Sequence, residues 1–160
     1  MERTERVALG DLTGRVVAES PVAPLDVPPF DRAAMDGYAV RAEDTVGAGH
    51  QHPRTLQSVG TLYTGEAPVS RVERDTCLEI ATGAPMPAGA DAVVIVEDTE
   101  RVSGSDEVRI FSPVYPAQNV GRRGADITAG TGVIEHGALL TPSRIGALAA
   151  IGATDVEVYA

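Results

Sequence analysis

The chain has no tryptophan, no lysine and one cysteine, and only 4% of its residues are aromatic. Because every basic side chain is arginine, the chain cannot supply a Schiff-base lysine or the lysine of a phosphate-binding P-loop. Cys77 has no second cysteine with which to form an internal disulfide. Since 43% of the residues are hydrophobic, the core must consist mainly of Val, Ile, Leu and Ala, which favours sheets.

Charge and hydropathy argue against two classes of partner. The chain carries 23 acidic and 13 basic residues, a net charge of −10, which disfavours nonspecific binding to nucleic acid phosphates. No apolar run approaches the ~18 residues of a membrane span, and residues 1–6 are too polar for a signal peptide. We therefore predict a cytoplasmic protein without a nucleic acid or membrane partner.

Local patterns predict mostly strands and one helix. Residues 77–82 alternate between polar and apolar side chains, and residues 92–96 are β-branched enough for a strand buried on both faces. Together with residues 108–111, the second run indicates a hairpin whose tip is solvated. A helix is predicted after Thr141 as N-cap, with Pro142 at its first position.

Residues 28–40, PPFDRAAMDGYAV, are the most informative segment of the chain. The two prolines fix φ and remove N–H donors, and Gly37 allows a turn or a close backbone approach. Asp36 can thus be held in one direction without a helix or strand around it. The segment is suited to a ligand site, although its spacing fits equally well a tight turn whose aspartates cap local amides.

Two later segments extend this pattern: residues 80–94, IATGAPMPAGADAVV, and residues 119–127, NVGRRGADI. In this order the three segments resemble the signatures of the molybdopterin molybdenumtransferase family, called MoeA in bacteria and represented in animals by the E domain of gephyrin. The resemblance runs from about Leu9 to the C-terminus. It corresponds to the N-terminal two-lobe region of the family protein.

The resemblance implies an α+β fold that is predominantly β. A β-rich lobe, residues 25–129, is expected to be inserted into a second, small α/β lobe formed by residues 1–24 and 130–160. Family members continue past the position of Tyr159 into a substrate-binding domain and a further β domain. The chain is therefore expected to be a fragment or an excised pair of domains.

The resemblance also implies a role in molybdenum cofactor biosynthesis. Family members insert molybdate into adenylylated molybdopterin and release AMP, at a cleft between the subunits of a homodimer. This chain is then expected to supply part of that site and to be inactive alone. A noncatalytic dimerisation or scaffolding module is the alternative that the gephyrin resemblance leaves open.

Matches to the family signatures nominate six site residues. Such a reaction brings anionic phosphates and an oxyanion together, which requires arginine or a divalent cation, and carboxylates to hold the cation or steer water. By resemblance, Asp36, Thr82 and Asp126 are expected to be catalytic and to share one face of the inserted lobe, with Mg²⁺ at the two aspartates. Gly83, Arg122 and Arg123 are expected to bind the substrate.

Four of the nominated residues also have a structural alternative. Asp36 could cap the turn at Gly37, and Thr82 could end a strand. The two arginines could form internal salt bridges, the commoner fate of an arginine in so acidic a chain.

Overall fold

The computed structural model describes residues 3–160, which form two compact units. The end unit comprises the chain up to Pro29 together with Arg123–Ala160, and the inserted unit is Phe30–Arg122. The predicted fold class, predominantly β with one lobe inserted into another, is confirmed. The observed boundaries differ from the predicted ones, because residues 25–29 and 123–129 belong to the end unit.

Ten strands and one α-helix make up the regular structure of the described residues. They are β1 (Thr4–Ala8), β2 (Arg32–Ala33), β3 (Gly37–Val40), β4 (Arg54–Leu62), β5 (Thr76–Ile80), β6 (Ala92–Ile95), β7 (Thr99–Arg101), β8 (Glu107–Ile110), β9 (Val120–Gly121), α1 (Pro142–Ala150) and β10 (Asp155–Tyr159). Short 3-10 helices span Leu9–Asp11, Ala42–Thr45 and Val96–Asp98. Among residues 3–160, no helix combines the length and apolarity that crossing a membrane demands.

A six-stranded sheet in the order β6-β3-β5-β4-β8-β7 forms the body of the inserted unit. Strands β4 and β5 pair in parallel, and the other neighbours pair antiparallel. Strands β2 and β9 form a separate antiparallel pair. The parallel pair matters for the site, because the C-terminal ends of β4 and β5 lie side by side.

Apolar side chains cover both faces of this sheet, since successive residues of a strand point to opposite sides. One cluster contains Tyr38, Val40, Ala42, Leu56, Cys77, Ala92, Val94, Val108, Ile110 and Val114. The other contains Ala33, Ala39, Leu62, Val72, Leu78, Ile80, Ala84 and Val93. Strand β6 contributes to both clusters, which confirms the prediction that it is buried on both faces.

The predicted hairpin is wrong in one of its strands. Strand β8 pairs with β7, whereas β6 lies at the opposite edge of the sheet. The reason is the 3-10 helix Val96–Asp98, which ends β6 and redirects the chain. The Thr99 hydroxyl donates to the Val96 carbonyl, 2.8 Å away, and fixes this turn.

Both ends of the chain meet in the end unit. Strand β1 pairs antiparallel with β10, from Thr4 opposite Tyr159 to Ala8 opposite Asp155. Helix α1 begins at Pro142 with Thr141 as its N-cap, as predicted. The buried core of this unit consists of Leu12, Val17, Ala23, Ile134, Leu140, Leu148, Ile151, Val156 and Val158.

Candidate functional site

Asp36 lies directly before β3, where the chain enters the sheet of the inserted unit. Gly37 pairs with both β5 and β6, and a Cβ atom there would overlap the carbonyl oxygen of Val94. The backbone of β3 can therefore approach β6 this closely only with glycine at position 37. The Val96 N–H donates to the Asp36 carbonyl at 3.1 Å and ties the residue to the end of β6.

Thr82 holds the carboxylate of Asp36 with two hydrogen bonds. Its backbone N–H donates to Oδ1 at 2.6 Å, and its hydroxyl donates to the same oxygen at 2.8 Å. The backbone bond first, and then the hydroxyl bond, lower the pKa of Asp36 below its ordinary value. Asp36 is thus an exposed, ionised acceptor whose orientation is fixed from one side.

A β-turn over residues 81–84 presents Thr82 to Asp36. The Ala84 N–H donates to the Ala81 carbonyl at 3.0 Å, and Gly83 has φ +85°. A type II turn requires positive φ at its third residue, which glycine adopts without strain. The Gly83 N–H donates to the Ala33 carbonyl at 2.8 Å. The observed role of Gly83 is therefore conformational, and its assignment to substrate binding remains a prediction.

A cleft of about 420 Å³ opens beside Asp36. Its polar lining includes Glu79 and Thr61, and Tyr63 and Val96 stand exposed at its walls. Glu79 accepts hydrogen bonds from the Thr61 hydroxyl and from Arg101, both at 3.3 Å. The cleft thus holds a second carboxylate that the sequence analysis missed. Glu79 is the single charged residue of β5, but the sequence does not show that β5 pairs with β3, which places Glu79 opposite Tyr38.

The structure assigns the two neighbouring arginines to different units. Arg123 pairs with Asp26 within the end unit. The Ala129 N–H, at 2.8 Å, and the Arg123 guanidinium lower the pKa of Asp26 below its ordinary value. Arg122 belongs to the inserted unit, where it lines a second cleft together with Asp31. Arg123 thus forms the internal salt bridge that was the alternative to substrate binding. Binding of substrate by either arginine remains a prediction.

Asp126 belongs to the end unit, not to the inserted lobe in which the predicted range placed it. Its backbone N–H donates to the Val27 carbonyl at 2.9 Å. The reason for the difference is that residues 26–28 hold the loop after Arg123 through backbone bonds, including one from Gly124 to Pro28. The structure brings Asp36 and Thr82 together, and a site that also includes Asp126 remains a prediction.

Within residues 3–160, no group of three or more His, Cys, Asp or Glu side chains is arranged to hold a metal ion. Both Thr82 bonds fall on Oδ1 of Asp36, so Oδ2 is the oxygen that this carboxylate can offer to a cation. The described residues therefore do not fit a complete magnesium site on their own. Magnesium at Asp36 and Asp126 stays a prediction.

Comparison with known proteins decides the family. The family model of the MoeA N-terminal region (domain I and II) matches residues 1–152. The chain belongs to the MoeA N-terminal region family. Molybdopterin molybdenumtransferase 2 of Mycobacterium tuberculosis is 42% identical over 152 residues, which are 95% of this chain and 37% of that protein.

Further relatives agree with this membership. Molybdopterin molybdenumtransferase of Synechococcus elongatus is 34% identical over 156 residues, covering 97% of this chain and 38% of its own length. A solved structure of a molybdopterin biosynthesis MoeA protein from Pyrococcus horikoshii is similar with a TM-score of 0.94 and 38% identity, covering 99% of this chain and 41% of the other. This MoeA N-terminal region thus spans less than half the length of the relatives it matches.

The Asp36 pKa in this MoeA N-terminal region provides a first test of the geometry. In Thr82→Val the hydroxyl donor is lost and the backbone donor stays, so we expect the pKa of Asp36 to rise part of the way toward its ordinary value. The lowered pKa of Asp36 stabilises the folded state. This stabilisation is fully present above the pKa of Asp36 in the unfolded chain, and it is lost as the pH falls through the lower pKa of Asp36 in the folded chain. A carboxyl ¹³C NMR titration measures the change.

The matched control for this titration is Thr55→Val, which removes an exposed hydroxyl from β4. It should leave the pKa of Asp36 at the parent value. An equal rise in both variants, or none in Thr82→Val, would contradict the two-donor geometry.

Proposed function

We propose that this chain is the N-terminal portion of a molybdopterin molybdenumtransferase acting in molybdenum cofactor biosynthesis. The proposed reaction inserts molybdate into adenylylated molybdopterin and releases AMP. The observation that carries the proposal is the Asp36 carboxylate, held by Thr82 at the rim of an open cleft. The relatives named above are molybdopterin molybdenumtransferases, which supports the same reaction.

The geometry gives Asp36 a specific chemical task. An ionised carboxylate only accepts hydrogen bonds, so it can orient a water molecule or take a proton from one. Two donors on Oδ1 fix the direction in which the remaining acceptor positions point. Such preorganisation is effective because the group does not have to reorient as the reaction proceeds.

The remaining parts of the proposed site come from outside the Asp36 cleft. We include Arg122 and Arg123 as contacts for the phosphates and molybdate, and Asp126, by resemblance to the family, as a catalytic carboxylate that can hold a cation. Mg²⁺ is included on the same ground, with its coordination completed by substrate oxygens. A homodimer in which this region faces the substrate-binding domain of a partner subunit would supply the rest.

The test is Asp36→Asn in a chimera that joins this chain to the remaining length of the Mycobacterium tuberculosis relative. Asparagine keeps the size and one carbonyl acceptor for Thr82 but removes the charge. We expect AMP release to fall by at least about tenfold, equivalent to about 1.4 kcal/mol of barrier. The free energy of unfolding should stay within about 1 kcal/mol of the parent, as for most surface substitutions.

Asp106→Asn is the matched control, because Asp106 is exposed at the turn before β8. It should leave AMP release at the parent rate. Parent-like activity of Asp36→Asn would favour the turn-capping role. If the chimera shows no AMP release at all while it forms a stable dimer, the scaffolding alternative gains support.

A further inference from the structure

Two threonines follow the ends of the parallel strands β4 and β5. Strand β4 ends at Leu62 and strand β5 ends at Ile80. These two residues are register partners, so the chain leaves both strands side by side. Thr64 lies two residues after the end of β4, and Thr82 lies two residues after the end of β5. The Thr64 hydroxyl donates to the Thr82 carbonyl at 2.6 Å. Thr64 therefore contacts the same residue that holds Asp36.

The turn that carries Thr64 is closed by reciprocal hydrogen bonds. The Tyr63 N–H donates to the Glu66 carboxylate at 3.0 Å, and the Glu66 N–H donates to the Tyr63 carbonyl at 3.2 Å. Gly65 has φ +92°, which glycine adopts freely. The backbone of Thr64 is thus fixed by its own turn, and its hydroxyl can act as a stationary donor.

The Thr82–Gly83 peptide is held at both of its polar groups. Thr64 binds its carbonyl oxygen, and the Ala33 carbonyl accepts its N–H at 2.8 Å. This peptide is the central one of the turn, and turns of types I and II differ mainly in its orientation. Glycine at the third position permits either type. The two hydrogen bonds therefore select one orientation, and a rotation of the peptide would break both.

We propose that Thr64 is a positioning residue, whose hydroxyl anchors the Thr82 carbonyl and so restrains the main chain of Thr82, the residue whose N–H and hydroxyl donate to Asp36. Thr64 acts through Thr82 and has no contact with the reacting atoms in this role. The consequence for catalysis rests on the proposed function, whereas the hydrogen-bond geometry does not.

NMR spectroscopy of the 160-residue chain tests the proposal with Thr64→Val, which removes the hydroxyl at nearly constant shape. Amide hydrogen exchange at Gly83 should accelerate by at least about fivefold, the effect of losing one ordinary hydrogen bond. The Asp36 carboxyl should titrate at a higher pH than in the parent. Thr64→Ser keeps the hydroxyl and should restore both values.

Thr55→Val is again the matched control, because it removes an exposed hydroxyl from β4 that does not line the Asp36 cleft. It should leave both Gly83 exchange and the Asp36 titration unchanged. Parent-like values in Thr64→Val, or a Thr64→Ser variant that behaves like Thr64→Val, would overturn the proposal. If Thr64→Val fails to fold, Thr64→Ala measured in the same way decides the question.

The same variants in the chimera separate this proposal from the proposed function. We expect Thr64→Val to lower kcat for AMP release, and Thr64→Ser to recover it. If Asp36→Asn leaves activity intact while the NMR changes occur, the proposed function fails and the positioning role of Thr64 stands. If the NMR values do not change while Asp36→Asn abolishes activity, the positioning role of Thr64 fails and the proposed function stands.

Discussion

Gly37→Ala is expected to destabilise the inserted unit by at least about 3 kcal/mol, the upper range for an atom added to a well-packed interior. The new Cβ atom would overlap the Val94 carbonyl oxygen, with the Val94 carbonyl carbon at 2.9 Å and the Ile95 Cα at 3.0 Å. All three are backbone atoms, and β3 is paired on both sides. The strand cannot shift to relieve the overlap without breaking a ladder. Denaturant-induced unfolding measures the loss.

Gly49→Ala is the matched control for Gly37→Ala within the same unit. A Cβ atom at Gly49 has no neighbour within 4 Å, and Gly49 lacks a positive φ. Its free energy of unfolding should stay within about 0.5 kcal/mol of the parent, as for surface substitutions. Equal stability of both variants would show that β3 and β6 do not approach as closely as described.

Since Gly37 adjoins Asp36, the unfavourable contact in Gly37→Ala should also raise the pKa of Asp36 by moving its carboxylate away from Thr82.

The isolated 160-residue chain is expected to release AMP from adenylylated molybdopterin at least about a hundredfold more slowly than the chimera. Displacement of a reacting group by about 1 Å can cost a factor on the order of 10², and here most of the substrate contacts would be missing. The chain spans only 37% of its Mycobacterium tuberculosis relative. A direct assay of AMP formation, with chain and chimera at equal concentration, provides the measurement.

Folding must be checked in the same samples. The Asp36 titration is the control, because a lowered pKa in the isolated chain shows that Thr82 still binds the carboxylate. Slow AMP release with an intact Asp36–Thr82 pair is the expected combination. AMP release at the rate of the chimera would mean that these two units contain a complete site, contrary to our proposal.

Much of the fold could be predicted because local signals and long-range packing agree. Thr141, Pro142 and Gly152 mark the ends of helix α1 in the sequence, and the structure places them there. Likewise, the β-branched run of residues 92–96 predicted a strand buried on both faces, and β6 packs into an apolar cluster on each face. The glycine after Asp36 indicated a close backbone approach, and the partner of that approach is Val94.

The sequence could not predict features that depend on which strands become neighbours. Residues 92–111 contain a plausible hairpin, but only tertiary pairing decides that β6 joins β3 while β7 joins β8. Glu79 enters the Asp36 cleft because β5 pairs with β3, which no local pattern encodes. The unit to which Asp126 belongs depends likewise on bonds between residues 123–129 and residues 26–28.

The discontinuous end unit imposes an order on folding. Strand β10 is synthesised after the whole inserted unit, and β1 has no partner in the sheet of its own unit until β10 exists. The inserted unit is continuous in sequence and can fold while synthesis proceeds, because domains generally fold as units. Pairing β1 with β10 must then close a very long loop, which slows this step. A prefolded inserted unit shortens that loop by bringing Phe30 and Arg122 to fixed positions before the ends of the chain meet.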